Sequence, residues 1–168
     1  MTNAKFFIHL FVLLLIQLIL LDNIQIHSYV CINLYILSIY ILPYRWSNVA
    51  ILFFGFCLGM FVDLINHTMG VHTIATTLIA FMRPQMLLLT SNREQISDIQ
   101  GRQKISEFAW FFKYIVINTL IFNSVFILCE TFSFRNFPIT LLRIVCSTLA
   151  SILFILLYYL IALKEKKN

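Results

Sequence analysis

Long apolar runs separated by short polar clusters set the pattern of this chain. Six runs stand out, at residues 6–21, 26–42, 49–65, 71–89, 108–129 and 139–163. The breaks are Asp22-Asn23, Pro43, the turn from Asn66 to Gly70, a polar stretch at 90–107 and a loop at 130–138. A helix needs roughly 17–25 mostly apolar residues to cross ~30 Å of hydrocarbon. Each run therefore predicts a transmembrane helix whose backbone N–H and C=O groups pair within the helix itself. The runs are continuous and do not alternate with a period of two, unlike the strands of a membrane barrel. The expected fold is an all-α integral membrane protein: one polytopic domain over residues 1–168 with six transmembrane helices.

The first run follows Lys5 and has the n-region and h-region of a signal peptide. No small-x-small cleavage site follows, because Leu20-Leu21-Asp22-Asn23-Ile24 are bulky or charged, so the run reads as a retained span. Basic residues in short loops set orientation. With the N-terminus in the cytoplasm, Lys5, Arg45, Arg83, Arg93, Arg102, Lys104, Lys113, Lys164, Lys166 and Lys167 fall inside, and only Arg135 and Arg143 fall outside. An odd number of spans would put the C-terminal lysine cluster outside. Six spans with both termini cytoplasmic is the expected topology. The 90–107 stretch is the largest piece outside the bilayer. Ile96, Ile99 and Ile105 there fit either a short interfacial helix or a solvated loop.

Composition strengthens the membrane reading. Of the 168 residues, 61% are hydrophobic and 11% charged, against ~45–50% and about a quarter in a soluble domain. Mean hydropathy is +0.91. Too few polar residues exist to clothe a surface in water, so lipid must be the solvent. The net charge of +5 is spread over several span ends. There it faces anionic headgroups, and no nucleic-acid partner is expected. Cys31, Cys57, Cys129 and Cys146 lie singly in or beside apolar runs and form no C-x-x-C pair, so free thiols are expected.

In such a chain the small and polar residues within spans carry the information. Gly55, Gly59 and Asp63 are spaced four apart. Each step of four advances only about 40° around a helix, so the three share one face. The glycines form a groove for close approach of another helix, within this chain or from a partner, and Asp63 ends it. Gly70 and His72 open the next run, with Gly70 serving close packing or the turn. A contact between His72 and Asp63 is feasible. Asp63, His67 and His72 include a pair one helical turn apart, as zinc ligands often are. No HExxH and no further ligand cluster accompanies them, and a structural hydrogen bond or headgroup contact is the expected role. Arg83-Pro84 predicts a stop or kink at Met82, with Arg83 a cytoplasmic anchor that snorkels to phosphates and 85–89 in the interface. His9, Gln17, Asn33, Asn118, Asn123 and Glu130 are scattered among the spans, Gln17 and Asn118 reading as interhelical hydrogen-bond donors; the polar residues sit near span ends and do not converge on a cavity. No acid–base pair, nucleophile arrangement or phosphate loop is found. The chain is therefore expected to be non-enzymatic, with no metal and no cofactor.

The G-x-x-x-G-x-x-x-D helix at 55–63, the following Gly70-Val71-His72 and the Arg83-Pro84 together resemble the MreD family of rod-shape-determining inner-membrane proteins. The specific likeness covers residues 54–84; size, span count and short loops are similar over the rest. The remainder departs from many members in being glycine-poor and Phe-rich. The resemblance implies a scaffold of the cell-elongation complex in the bacterial inner membrane, regulating peptidoglycan synthesis and cell shape. Its implied partners are a bitopic MreC-like protein, the actin-like MreB, RodA and a class B penicillin-binding protein. The implied fold is similar to the substrate-binding subunits of energy-coupling-factor transporters. The implied contact residues are Gly55, Gly59, Asp63, Gly70 and His72, with Arg83 and Pro84 at the end of the motif. The alternative is a small-molecule-binding subunit of a vitamin-type transporter, which requires polar groups converging on a ligand cavity.

Overall fold

The computed structural model describes residues 3–21, 30–42, 46–90, 108–131 and 137–163. These contain helices and no strands. Helix α1 (Asn3–Ile16) continues into a π-helical stretch, Gln17–Leu21. A single turn, α2 (Leu37–Tyr40), follows. Four long helices complete the order: α3 (Asn48–Asn66), α4 (Val71–Thr90), α5 (Phe108–Thr131) and α6 (Phe137–Tyr158), the last ending in a π-helical Tyr159–Leu163. The expectations for the 22–25 and 91–107 loops, the C-terminal lysines, Arg45 and Arg135 fall outside the described residues.

Four helices among the described residues are long and apolar enough to cross a membrane: Asn48–Asn66, Val71–Thr90, Trp110–Thr131 and Phe137–Ile161. The Phe7–Ile19 helix is apolar but shorter. Helix α6 shows which way the molecule is solvated. Its buried positions are Thr140, Ile144, Ser147, Thr148, Ser151 and Ile155. Its exposed positions include Leu142, Val145, Leu149, Leu153 and Leu157. The hydroxyls face inward and the leucines outward, the reverse of a helix in water. Helix α3 likewise exposes Val49, Phe53, Phe56, Met60, Phe61 and Leu64.

Neighbours in sequence pack as neighbours in space: α3 on α4, α4 on α5, α5 on α6. The second apolar run departs from expectation. It is not a continuous helix: residues 30–34 have no regular structure, 35–36 form a turn and only 37–40 are helical. Residues 32–40 are nevertheless all buried. The run is rich in Ile and Tyr, residues that suit extended backbone as well as helix. Its hydropathy reflects enclosure by the other helices, and its backbone polar groups must find partners on them.

Of the stop or kink expected at Met82, the stop does not occur: helix α4 runs through Pro84 to Thr90. Residues 85–89 are its continuation, with Met86 and Leu87 buried. Packing of α4 between α3 and α5 offsets the one hydrogen bond that proline removes.

Candidate functional site

The motif at 55–72 joins α3 to α4. Ser47 caps the start of α3, its hydroxyl accepting from the Ala50 N–H at 3.2 Å. At the other end His67 adopts the left-handed conformation, with φ 54°. The N–H groups of His67 and Thr68 both donate to the Asp63 carbonyl. Gly70 follows with φ 81°, a conformation that glycine adopts without steric cost. A Cβ at Gly70 would meet nothing within 4 Å, so this glycine serves the turn and not close packing.

The turn lays α4 antiparallel along the glycine face of α3. A Cβ at Gly59 would lie 2.2 Å from Thr76 Oγ1, 2.6 Å from Thr73 Cα and 2.9 Å from the His72 carbonyl. One at Gly55 would lie 2.6 Å from the Ala80 Cβ and 3.1 Å from the Thr76 carbonyl. The groove left open between an internal and an external occupant is thus filled by this chain's own α4.

Asp63 is buried at 5% exposure, and of the two roles expected for it the structure shows the structural hydrogen bond. Its Oδ1 accepts from the His72 N–H at 3.0 Å and from the Thr68 hydroxyl. Its Oδ2 accepts from the Thr73 N–H at 2.7 Å and the Thr73 hydroxyl at 2.6 Å. The Gly70 carbonyl takes the first helical bond of α4, from Ile74, so Gly70 holds the N-cap position. Glycine has no side chain to cap with. Asp63 supplies the missing carboxylate from the neighbouring helix, binding the second and third N–H groups of α4 where the helix dipole favours an anion. One carboxylate thereby closes both ends of the turn.

His72 meets Asp63 through its backbone. Its ring instead shares a hydrogen bond with the Tyr35 hydroxyl, Nδ1 to Oη 2.8 Å, and packs on Phe126 at 4.6 Å between centroids. His67 is exposed. Among the described residues no group of three or more His, Cys, Asp or Glu side chains is placed to hold a metal.

Through Tyr35 this junction reaches a second polar system, arranged around residues 30–42. The Cys31 N–H donates to Ser147 Oγ at 3.0 Å and the Asn33 N–H to Ser151 Oγ at 3.1 Å. Gln17 takes the Leu34 N–H on its carbonyl at 2.7 Å and donates its amide to the Ile32 carbonyl at 2.8 Å. The Asn33 amide donates to Asn123 at 3.1 Å, and Asn123 donates in turn to Thr148 at 3.3 Å. Tyr40 and Thr119 share a longer bond at 3.3 Å. Arg83 donates from Nη2 to the Leu42 carbonyl. It is 3% exposed and does not snorkel outward along α4.

The intramembrane polar residues therefore do converge, contrary to the expectation of scattered span-end contacts. Gln17, Asn33 and Asn123 join one network, whereas the Asn118 amide turns back to the Tyr114 carbonyl of its own helix. What they converge on is the chain's own non-helical backbone. Sequence reasoning missed Tyr35, Thr68, Thr73, Ser147 and Ser151. The available signal was Ser147-Thr148 followed by Ser151, hydroxyls on one face of a helix otherwise made of leucine, isoleucine and valine. No family model, curated protein or solved structure matches this chain.

Proposed function

We propose that this chain is a non-enzymatic scaffold of the MreD type in the bacterial inner membrane, serving the cell-elongation complex. It regulates lateral peptidoglycan synthesis and cell shape by binding partners: an MreC-like bitopic protein first, and through it MreB, RodA and a class B penicillin-binding protein. One observation carries the reading. The residues on which the resemblance rests are used to lock α3 to α4, with the Asp63 carboxylate satisfied four times over by Thr68, His72 and Thr73. That is the arrangement of a rigid structural joint. Partners then meet the apolar outer faces of the helices, where association in lipid depends on shape and packing.

The finer architecture belongs to the same proposal. The chain crosses six times with both termini in the cytoplasm, in a layout similar to the substrate-binding subunits of energy-coupling-factor transporters. The 3–21 helix is one crossing. The 26–42 segment is another, non-helical over residues 30–36 and served by its neighbours' side chains. The vitamin-transporter alternative requires a central ligand space. Here the 30–42 backbone occupies the convergence point of the buried polar side chains, which favours the scaffold.

The test is co-purification from native membranes. A tagged chain is expected to bring down a bitopic MreC-like protein, and its depletion to widen rod-shaped cells. Recovery without a bitopic partner, together with unchanged cell width on depletion, contradicts the proposal.

A further inference from the structure

Arg83 faces a cavity of about 320 Å³ on the side of the α3–α4 pair remote from the Gly70 turn. Its walls include Trp46, Ser47, Asn48, Ile51 and Leu87. Arginine stays charged in any protein setting and offers five donors in a fixed fork. Here one donor reaches the Leu42 carbonyl, while the buried Nε has no hydrogen-bond partner. The Tyr114 hydroxyl is buried against the same guanidinium, a neutral neighbour that leaves its charge uncompensated. Among the described residues the ion pair is Arg143 with Glu130, and no carboxylate neutralises Arg83. A buried cation in that condition is costly unless an anion joins it.

The cavity supplies the rest of an anion site. It is lined by Ser47 and Asn48 at the start of α3, where Ser47 takes the Ala50 N–H, the N–H groups of Asn48 and Val49 have no acceptor within the helix, and the helix dipole is positive. The other walls are apolar or aromatic. The volume is at the small end of the range for ligand pockets, ~300–1,000 Å³. Arg83 lies seven residues before the end of α4, or about 10 Å along the axis. Arg83 is nevertheless level with Ser47 and Asn48, where the spanning helix α3 begins.

The geometry points to this cavity as a binding site for a phosphate group, held between the Arg83 guanidinium and the N-terminus of α3, with Trp46 against the organic part of the ligand. The phosphate is that of an anionic phospholipid headgroup or of a free phosphate ion. The inference does not depend on the scaffold reading.

Trp46 is one of two tryptophans in the chain. In a Trp110→Phe background it alone reports on the cavity. The whole chain, purified in a maltoside detergent, is titrated with short-chain phosphatidylglycerol, with the diacylglycerol lacking the phosphate, and with inorganic phosphate. Phosphatidylglycerol is expected to change Trp46 emission saturably, and the diacylglycerol to act at least about tenfold more weakly, the worth of a charge-assisted hydrogen bond. Competition by inorganic phosphate assigns the site to the free ion as well; failure to compete assigns it to the lipid. Arg83→Lys keeps the charge without the fork and is expected to weaken binding. Asn48→Phe fills the mouth of the cavity and leaves Arg83 in place. It is expected to weaken phosphatidylglycerol about tenfold at an unchanged Tm. Equal responses to the lipid with and without phosphate, or wild-type binding by a folded Asn48→Phe variant, would overturn the site.

Discussion

A methyl group at Gly59 would collide with the backbone of α4, because Thr73 Cα and the His72 carbonyl lie within 3 Å of it. At Gly55 the nearest atom is a side-chain methyl, that of Ala80. Backbone held by a capped turn yields less than a side chain does. Gly59→Ala is therefore expected to cost about 1–3 kcal/mol, the usual range for overpacking, and more than Gly55→Ala. Thermal unfolding of both variants in detergent checks the order; equal losses would mean that α4 shifts as a unit. Gly70 is governed by φ alone, since a side chain there has open space. Gly70→Asn is expected to retain more stability than Gly70→Val, because asparagine tolerates positive φ and a β-branched residue does not. The same unfolding measurement reads this difference.

At the scale of elements, the 30–42 segment departs most from the sequence reading. It is held by side chains from helices distant in sequence, chiefly Gln17, Ser147 and Ser151. Removing an acceptor strands a buried N–H, at a cost of ~1–3 kcal/mol. Ser147→Ala and Ser151→Ala are each expected to destabilise by that order, and Gln17→Leu by more, since Gln17 serves both Leu34 and Ile32. Hydrogen exchange at the Cys31, Asn33 and Leu34 amides should rise in the matching variants and stay unchanged elsewhere. The four long helices were legible in hydropathy because lipid and protein interior both select apolar residues at spanning length. The non-helical stretch at 30–36 was not, since an enclosed irregular segment and a buried helix share that composition. At Pro84 local propensity allows a stop or a kink, and packing on both sides of α4 rules out the stop. The four-residue spacing of Gly55, Gly59 and Asp63 did reveal their common face. That Asp63 caps α4 was hidden, because the capped N–H groups belong to the next helix and Gly70 carries no capping side chain of its own.

For the whole molecule, inward hydroxyls and outward leucines on α6 describe a body solvated by lipid and stiffened by an internal polar system. Topology is tested by thiol labelling in intact cells, in a cysteine-free background. Met69 is 99% exposed in the α3–α4 turn. Met69→Cys is expected to react with an impermeant reagent added outside, and Gln95→Cys to remain protected; the reverse pattern would invert the orientation. The central claim is that Asp63 acts by holding the molecule in shape and not by chemistry. Asp63→Asn preserves size but puts an amide donor among groups that donate, so part of the cap is lost; Asp63→Leu removes it all. The decisive measurement sets Tm, capture of the MreC-like partner and cell width side by side for both variants. The account predicts that the three decline together, partly in Asn and further in Leu. An Asp63→Asn protein with wild-type Tm and normal partner capture that nonetheless fails to support rod shape would contradict it.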